Sequence, residues 1–177
     1  MCALEVRPVI PTERLRLRGP TLDDAERLAG FACDAGVSRN LSNMPHPYAR
    51  QQAEDFLGGL QGLDPGRDMV FAIDHREHGF LGMLGFHEKK PGRPELGYWL
   101  GRPFWGQGYA TEAVSAALTW AKAGWKRRVV WAGHFADNPA SGQVLVKSGF
   151  LYTGEVELRA SAARPDPVET RMMVWLA

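Results

Sequence analysis

Apolar positions recur along this chain with two spacings, every second residue in some stretches and every three or four in others, and each change of spacing marks a new element. Leu15 and Leu17 alternate with Arg14, Arg16 and Arg18, which predicts a short strand over 14–18. Thr21 and Asp24 then stand at the spacing of a capping box, with Asp in the place of Glu or Gln, and Ala25, Leu28, Ala29 and Ala32 continue as one face of a helix. Residues 38–47 form a polar, proline-bearing connection. Ala53, Phe56, Leu57 and Leu60 mark a second amphipathic helix, closed by a turn at Asp64-Pro65-Gly66. The middle of the chain is strand-like over 69–73 and 80–87, joined around His78-Gly79, and again over 95–100 after a turn at 89–94. Connections this short predict an antiparallel meander.

A long helix follows, with Ala110, Ala113, Val114, Ala117, Leu118 and Ala121 on one face and Gly124 as its stop. Residues 129–135 form a strand that puts Val129, Trp131 and Phe135 on one side. Asn138 at the N-cap, Pro139 at the first helical position and Gly149 just past the end delimit a short helix. Two last strands, 150–158 and 168–176, flank a polar loop at 159–167. This order predicts a single domain over 1–177 of the α/β (α+β) class: a mixed, mostly antiparallel sheet of about seven strands flanked by helices.

Composition removes several classes of function. With 21 basic and 20 acidic residues the net charge is +1, so no whole-molecule field draws in nucleic acid or a membrane surface, and neither is an expected partner. The compact basic run, Lys126, Arg127 and Arg128, fits a solvated helix-to-strand connection. Cys2 and Cys33 lack CxxC partners, so neither a zinc site nor a disulfide framework is expected, and such cysteine usage suits a reducing cytoplasm. The first residues show no signal-peptide pattern, and no run approaches the ~18 apolar residues of a membrane span. No metal is expected.

The chemistry concentrates in ELGYWLGRPFWGQGYATE, residues 95–112: a strand, a glycine-bearing loop and a helix start. Gly106 and Gly108 bracket Gln107, leaving backbone N–H groups free to curl around an anion. The first N–H groups of the helix have no partner within it, and its dipole adds about half a positive charge, so the segment fits a phosphate or pyrophosphate. A tight structural turn explains an isolated pair of glycines equally well. Two nucleotide motifs fail here. A P-loop ends in Gly-Lys-Ser/Thr, where this chain has Gly108-Tyr109-Ala110, and a dinucleotide fingerprint needs Gly or Ala where Thr111 stands.

WGQGYATEA, residues 105–113, resembles the coenzyme-binding motif of the GNAT N-acetyltransferase family, (Arg/Gln)-x-x-Gly-x-(Gly/Ala). Gly108 and Ala110 match, while Trp105 replaces the usual Arg or Gln, as in the branch resembling ribosomal-protein N-terminal acetyltransferases. ELGYWL at 95–100 and NPASGQVLVKSGF at 138–150 fit that branch too, and the resemblance runs from about Thr12 to Leu176. It implies acetyl-CoA as cosubstrate. The pyrophosphate would lie on the N–H groups of Gly106, Gln107, Gly108, Tyr109, Ala110 and Thr111. The pantetheine arm would run between splayed strands 95–100 and 129–135, against Trp99, Leu100 and Asn138. Gly97 would be a bulge or a close backbone approach, or simple packing.

The implied reaction is direct transfer of acetyl to a primary amine, with an N–H group near Trp99 and Leu100 facing the oxyanion. Candidates for the base are Glu95, His87, Glu88 and His134. Glu95 is the first choice because it opens the strand leading to the thioester. Ser141 is implied to protonate or orient the thiol, or is simply the third residue of its helix. Cys33 carries no mark of a nucleophile. Residues 38–47 and 159–167, with Arg39, His46, Arg159, Arg164 and Asp166, are expected to wall the acceptor side. The acceptor is an amine, either a peptide or protein N-terminus, toward which the branch tilts, or a small molecule such as an antibiotic. Competing readings are a coenzyme-binding sensor without catalysis and an enzyme acting on nucleotide phosphates. A final strand exposed near Trp175 would allow a homodimer.

Overall fold

The computed structural model describes residues 8–177; Cys2 lies outside them. Its eight strands are β1 (Ile10–Pro11), β2 (Leu15–Arg18), β3 (Asp68–His75), β4 (Gly79–Lys90), β5 (Arg93–Leu100), β6 (Val129–Phe135), β7 (Leu151–Arg159) and β8 (Val168–Leu176). They form one sheet in the order β1-β2-β3-β4-β5-β6-β8-β7. Seven were expected. The eighth, β1, is two residues long and too short to show a period; it is held by pairing Ile10 with Leu17. Every neighbouring pair is antiparallel except β5–β6, which is parallel.

The helices are α1 (Ala25–Ala32), α2 (Ala35–Ser38), α3 (Arg50–Gly59), α4 (Tyr109–Ala123) and α5 (Pro139–Lys147). Strand alternation divides the core between the two faces of the sheet. Met69, Phe71 and Ile73 of β3 pack with Ala113, Val114, Ala117 and Leu118 of α4, while Val70 and Ala72 pack with Leu28 of α1 and Ala53 and Leu57 of α3. Asp24 completes half of the capping box by accepting the Thr21 N–H at 2.9 Å, and its carboxylate also holds Arg18.

Several local expectations change. Phe56 is 42% exposed and lines a cavity instead of joining the α3 core face. On β6 the core residues are the small Val130 and Ala132, whereas Trp131 lies on the opposite face under the Arg93 guanidinium, 3.6 Å from its ring centre. Gly97 is no bulge, since it pairs in regular register with Gly85. Arg127 stacks on Trp125 and donates to the Gly66 carbonyl, so the basic run is only partly solvated. The final strand β8 is no edge: it runs between β6 and β7, and the edge there is β7, with Leu151, Tyr152, Val156 and Leu158 exposed.

Candidate active site

β5 and β6 pair only at Glu95 with Trp131 and Leu96 with Ala132. Beyond these two pairs the strands part, leaving the β5 edge from Gly97 to Leu100 without a strand partner on that side. The Trp105 indole donates to the Leu100 carbonyl at 2.8 Å and pins the strand end to the loop that follows.

That loop turns through Gly106 at φ +73° and Gly108 at φ +81°, left-handed values that glycine adopts without penalty. Gly108 is the N-cap of α4, so the first N–H groups of a 15-residue helix face outward at the turn. Glu112 braces the turn from below. Its carboxylate accepts from the Thr12 hydroxyl at 2.6 Å, the Arg14 N–H at 2.8 Å and the Arg14 Nε at 2.7 Å, and Arg14 also donates to the Gln107 carbonyl at 3.0 Å. Burial pushes the Glu112 carboxyl up, but these donors outweigh it and hold it below its ordinary value.

A cavity of about 330 Å³ runs from this turn into the gap between the strands. Of the sequence-predicted coenzyme residues, Trp99, Leu100, Trp105, Gly106, Gly108, Tyr109, Ala110, Thr111, Asn138 and Ser141 line it. The Gln107 side chain does not; it turns back to donate to the Pro103 carbonyl at 2.9 Å. Lys147, at the end of α5, is the charged side chain in this lining. Asn138 accepts the Ser141 N–H at 3.2 Å, so it caps α5 while facing the cavity.

A second cavity of about 600 Å³ shares Asn40, Leu41, Tyr98, Trp99, Asn138 and Ser141 with the first. It gathers all four candidate bases: Glu95, His87, Glu88 and His134. Their surroundings differ. Both Glu95 oxygens are engaged by the Arg159 guanidinium, which also binds Glu157 at 2.7 Å. Burial lowers the Arg159 pKa, but these two carboxylates outweigh it and raise it above the ordinary value. His134 is buried with Nδ1 2.9 Å from the Phe135 carbonyl and Nε2 3.0 Å from the Tyr152 hydroxyl. Glu88 lies near Arg127 at 3.5 Å and Arg67 at 3.8 Å. His87, cross-strand partner of Glu95, has a 44% exposed side chain, and its Nδ1 is 3.3 Å from Asp68.

The two segments expected to wall this cavity are fastened to each other. The Ser161 hydroxyl donates to the Leu41 carbonyl at 2.7 Å and the Ala162 N–H to the Ser42 carbonyl at 2.8 Å. Arg164 donates to the Arg39 carbonyl at 2.7 Å and pairs with Asp137. Residues 40–44 and Arg159 border the cavity, whereas Arg39, His46, Arg164 and Asp166 line a separate hollow.

Sequence reasoning passed over Tyr98, whose hydroxyl lies 2.8 Å from the Ser141 Oγ, and Asp68 behind His87. Tyr98 shares the inward parity of Leu96 and Leu100, so its period reads as core. The available signal was that a tyrosine at an inward position needs a partner for its hydroxyl. Asp68 opens its strand and carries no such mark. Among the described residues no helix is long and apolar enough to cross a membrane, and no cluster of His, Cys, Asp and Glu is fit to hold a metal ion.

A glycine turn at a helix start that leads between parting strands, beside a cavity of acid–base side chains, suits an enzyme that transfers an acyl group from a phosphate-bearing coenzyme. A model described as "Acetyltransferase (GNAT) domain" matches residues 14–151, and the chain belongs to that family. It is 32% identical over 155 residues to the uncharacterized N-acetyltransferase YoaA of Bacillus subtilis, covering 83% of this chain and 85% of that one. It is 34% identical over 115 residues to the ribosomal-protein-serine acetyltransferase of Escherichia coli, covering 61% of this chain and 63% of the relative. Its fold is also that of spermidine N-acetyltransferase from Vibrio cholerae, solved with CoA and spermine: TM-score 0.77 at 14% identity, covering 93% of this chain and 96% of that one.

Proposed function

We propose that this enzyme holds acetyl-CoA in the first cavity and passes the acetyl group directly to a primary amine held in the second, with a peptide or protein α-amine as the favoured acceptor. The observation that carries this is the junction of the two cavities at Tyr98, Trp99, Asn138 and Ser141, where donor and acceptor meet. Cys33, the cysteine among the described residues, lies in neither lining and so is not placed for an acyl-enzyme route.

The residues present fit the coenzyme. A side chain at Gly106 would meet nothing within 4 Å, so the turn has open space for a pyrophosphate against its N–H groups, and Lys147 adds positive charge. The unpaired β5 edge from Gly97 to Leu100 offers backbone groups to an amide-bearing arm. When bound, the coenzyme supplies an acetyl thioester whose thiol, with an ordinary pKa of about 8.5, is a fair leaving group. An N–H group at Trp99 or Leu100 faces the carbonyl oxygen as its charge grows.

His87 takes the proton from the amine. Asp68 holds its Nδ1–H, which leaves Nε2 as the acceptor. Glu95 serves differently: both its oxygens are engaged by Arg159, which also holds Glu157, and Lys90 and Arg93 line the same hollow, so it walls the acceptor path with its charge compensated. The relative that acts on a ribosomal-protein serine supports an α-amine acceptor. A small polycationic amine is the second reading, favoured by Asp68, Glu88 and Glu95 lining the cavity against the single guanidinium of Arg159.

A thermal-shift panel with acetyl-CoA, CoA, ATP and NAD tests the donor. A ligand at 100 times its Kd stabilises by about 2.7 kcal/mol, which raises the melting point by roughly 5–10 °C for a domain of this size. Both CoA forms are expected to give that shift; a shift with ATP or NAD alone rejects the assignment. Turnover on α-amino peptides and on polyamines then separates the two acceptors, and coenzyme binding without turnover on any amine identifies a non-catalytic module.

A further inference from the structure

Tyr98 reaches from β5 across the gap between the strands to the first turn of α5. Its hydroxyl is 2.8 Å from the Ser141 Oγ and 3.0 Å from the Ser141 carbonyl oxygen. Ser141 is the third residue of α5, so its carbonyl lies in the helix ladder and accepts from the N–H four residues on. The hydroxyl is the nearer of the two acceptors, and it takes no helix hydrogen bond. We infer that Tyr98 is a positioning residue for acetyl transfer: its phenol donates to the Ser141 Oγ and so turns the serine's own hydrogen toward the sulfur of the acetyl donor. This deepens the proposed function and rests on it.

Without the phenol, a serine in the first turn of a helix is free to bond a carbonyl three or four residues back, which would turn its hydrogen away from the cavity. The Tyr98 ring is packed against the core on the α4 side of the sheet, so the donor is held rigidly. Burial pushes the phenol up to about 12, with the Ser141 hydrogen bond acting in the other direction, so it remains a donor throughout the neutral range. During transfer the amine's lone pair forms the C–N bond, and the C–S bond breaks with its electron pair going to sulfur. The proton released by nitrogen goes to His87. Ser141 lends its hydrogen bond to the developing thiolate, Tyr98 acts only through Ser141, and both keep their own protons.

The test is steady-state kinetics on the full chain with acetyl-CoA and an amine that the wild type acetylates, comparing Tyr98→Phe, Ser141→Ala and the double variant. Tyr98→Phe keeps the packed ring and removes only the donor. It is expected to lower kcat about 10- to 100-fold, as loss of a group that orients a reacting side chain does, with the KM for acetyl-CoA within about twofold of wild type. Ser141→Ala is expected to fall at least as far, and the double variant no further than Ser141→Ala, because both changes remove one unit. Wild-type kcat in Tyr98→Phe, a loss confined to KM, or losses that multiply in the double variant overturn the inference. A wild-type protein that binds no coenzyme A brings down the proposed function and this inference together. Normal binding and turnover with an unaffected Tyr98→Phe brings down this inference alone.

Discussion

Gly108 sits at φ +81°, and a Cβ added there would also meet the Arg14 guanidinium at 3.4 Å. A β-branched side chain at such a backbone angle is strained whatever the space around it. Gly108→Val is therefore expected to distort the turn, weaken coenzyme binding by about tenfold or more, and lower the melting point by several degrees. Gly97 gives the contrasting case. Its φ is not left-handed and a Cβ there meets nothing within 4 Å, yet it lines the second cavity. Gly97→Val should leave the melting point nearly unchanged while raising the KM for the acceptor. Isothermal titration with CoA, melting curves and acceptor saturation curves read both variants. If Gly108→Val melts and binds as wild type, the turn is not the pyrophosphate site. The base is separable in the same way. His87→Gln is expected to lower kcat about 100-fold or more, the usual scale for losing a general base. Glu95→Gln, which weakens the Arg159 cluster, should chiefly raise the acceptor KM. The reverse pattern in initial-rate measurements would return the base to Glu95. The lining of the proposed coenzyme cavity, Gln107 excepted, was legible because glycines and a helix start declare themselves in one short segment. The acid–base side was not. It depends on which partner each side chain meets across the sheet, and nothing local says that Arg159 occupies Glu95 or that Asp68 stands behind His87.

Among the elements, α4 was the most legible, since its apolar period, its glycine start and Gly124 all agree with Tyr109–Ala123. β1 and α2 were not, being two and four residues long and so shorter than any period that could mark them. Phe56 misled because an amphipathic spacing does not distinguish a core from a cavity wall. What holds the N-terminus of α4 in place is also non-local: Glu112 in the first turn of the helix, with Thr12 and Arg14 reaching it from the other end of the chain. The folded Glu112 pKa lies below its ordinary value of 4.5, so its contribution to stability is fully present above that value and is lost as pH falls through the folded value. Glu112→Gln should therefore lower the melting point most at neutral pH, with the difference from wild type shrinking as pH falls below about 4.5. Melting curves from pH 7 to pH 3 check this; a gap that stays constant with pH would mean that the brace does not depend on charge. A second prediction concerns the roof of the acceptor cavity. Ser161→Ala removes the hydroxyl bonded to the Leu41 carbonyl and should loosen the 40–44 wall, raising the acceptor KM severalfold and, because Asn40 and Leu41 also line the first cavity, weakening CoA binding by a smaller factor.

The whole molecule rests on one sheet with a separate core on each face. The α1 and α3 core and the α4 core share strands β3 and β4, whose residues alternate between them, so neither core can melt without stripping one face from the strands that support the other. Unfolding is thus expected as a single cooperative transition, with far-ultraviolet circular dichroism and tryptophan fluorescence giving the same midpoint. The tryptophans make the comparison sensitive to both cores, because Trp120 and Trp125 pack against the α4 core and Trp99 against the other. Coenzyme A, if held as proposed by the turn at the start of α4 and the edge of β5, should move both signals together by the same number of degrees. If saturating coenzyme raises the fluorescence midpoint and leaves part of the circular dichroism change at its original temperature, the α1–α3 face unfolds on its own and the chain is two cooperative units. Coincident midpoints, with and without coenzyme, would mean that the donor site and the wall of the acceptor cavity stand or fall together. A stabilising substitution in either core should then raise the melting point of the entire site.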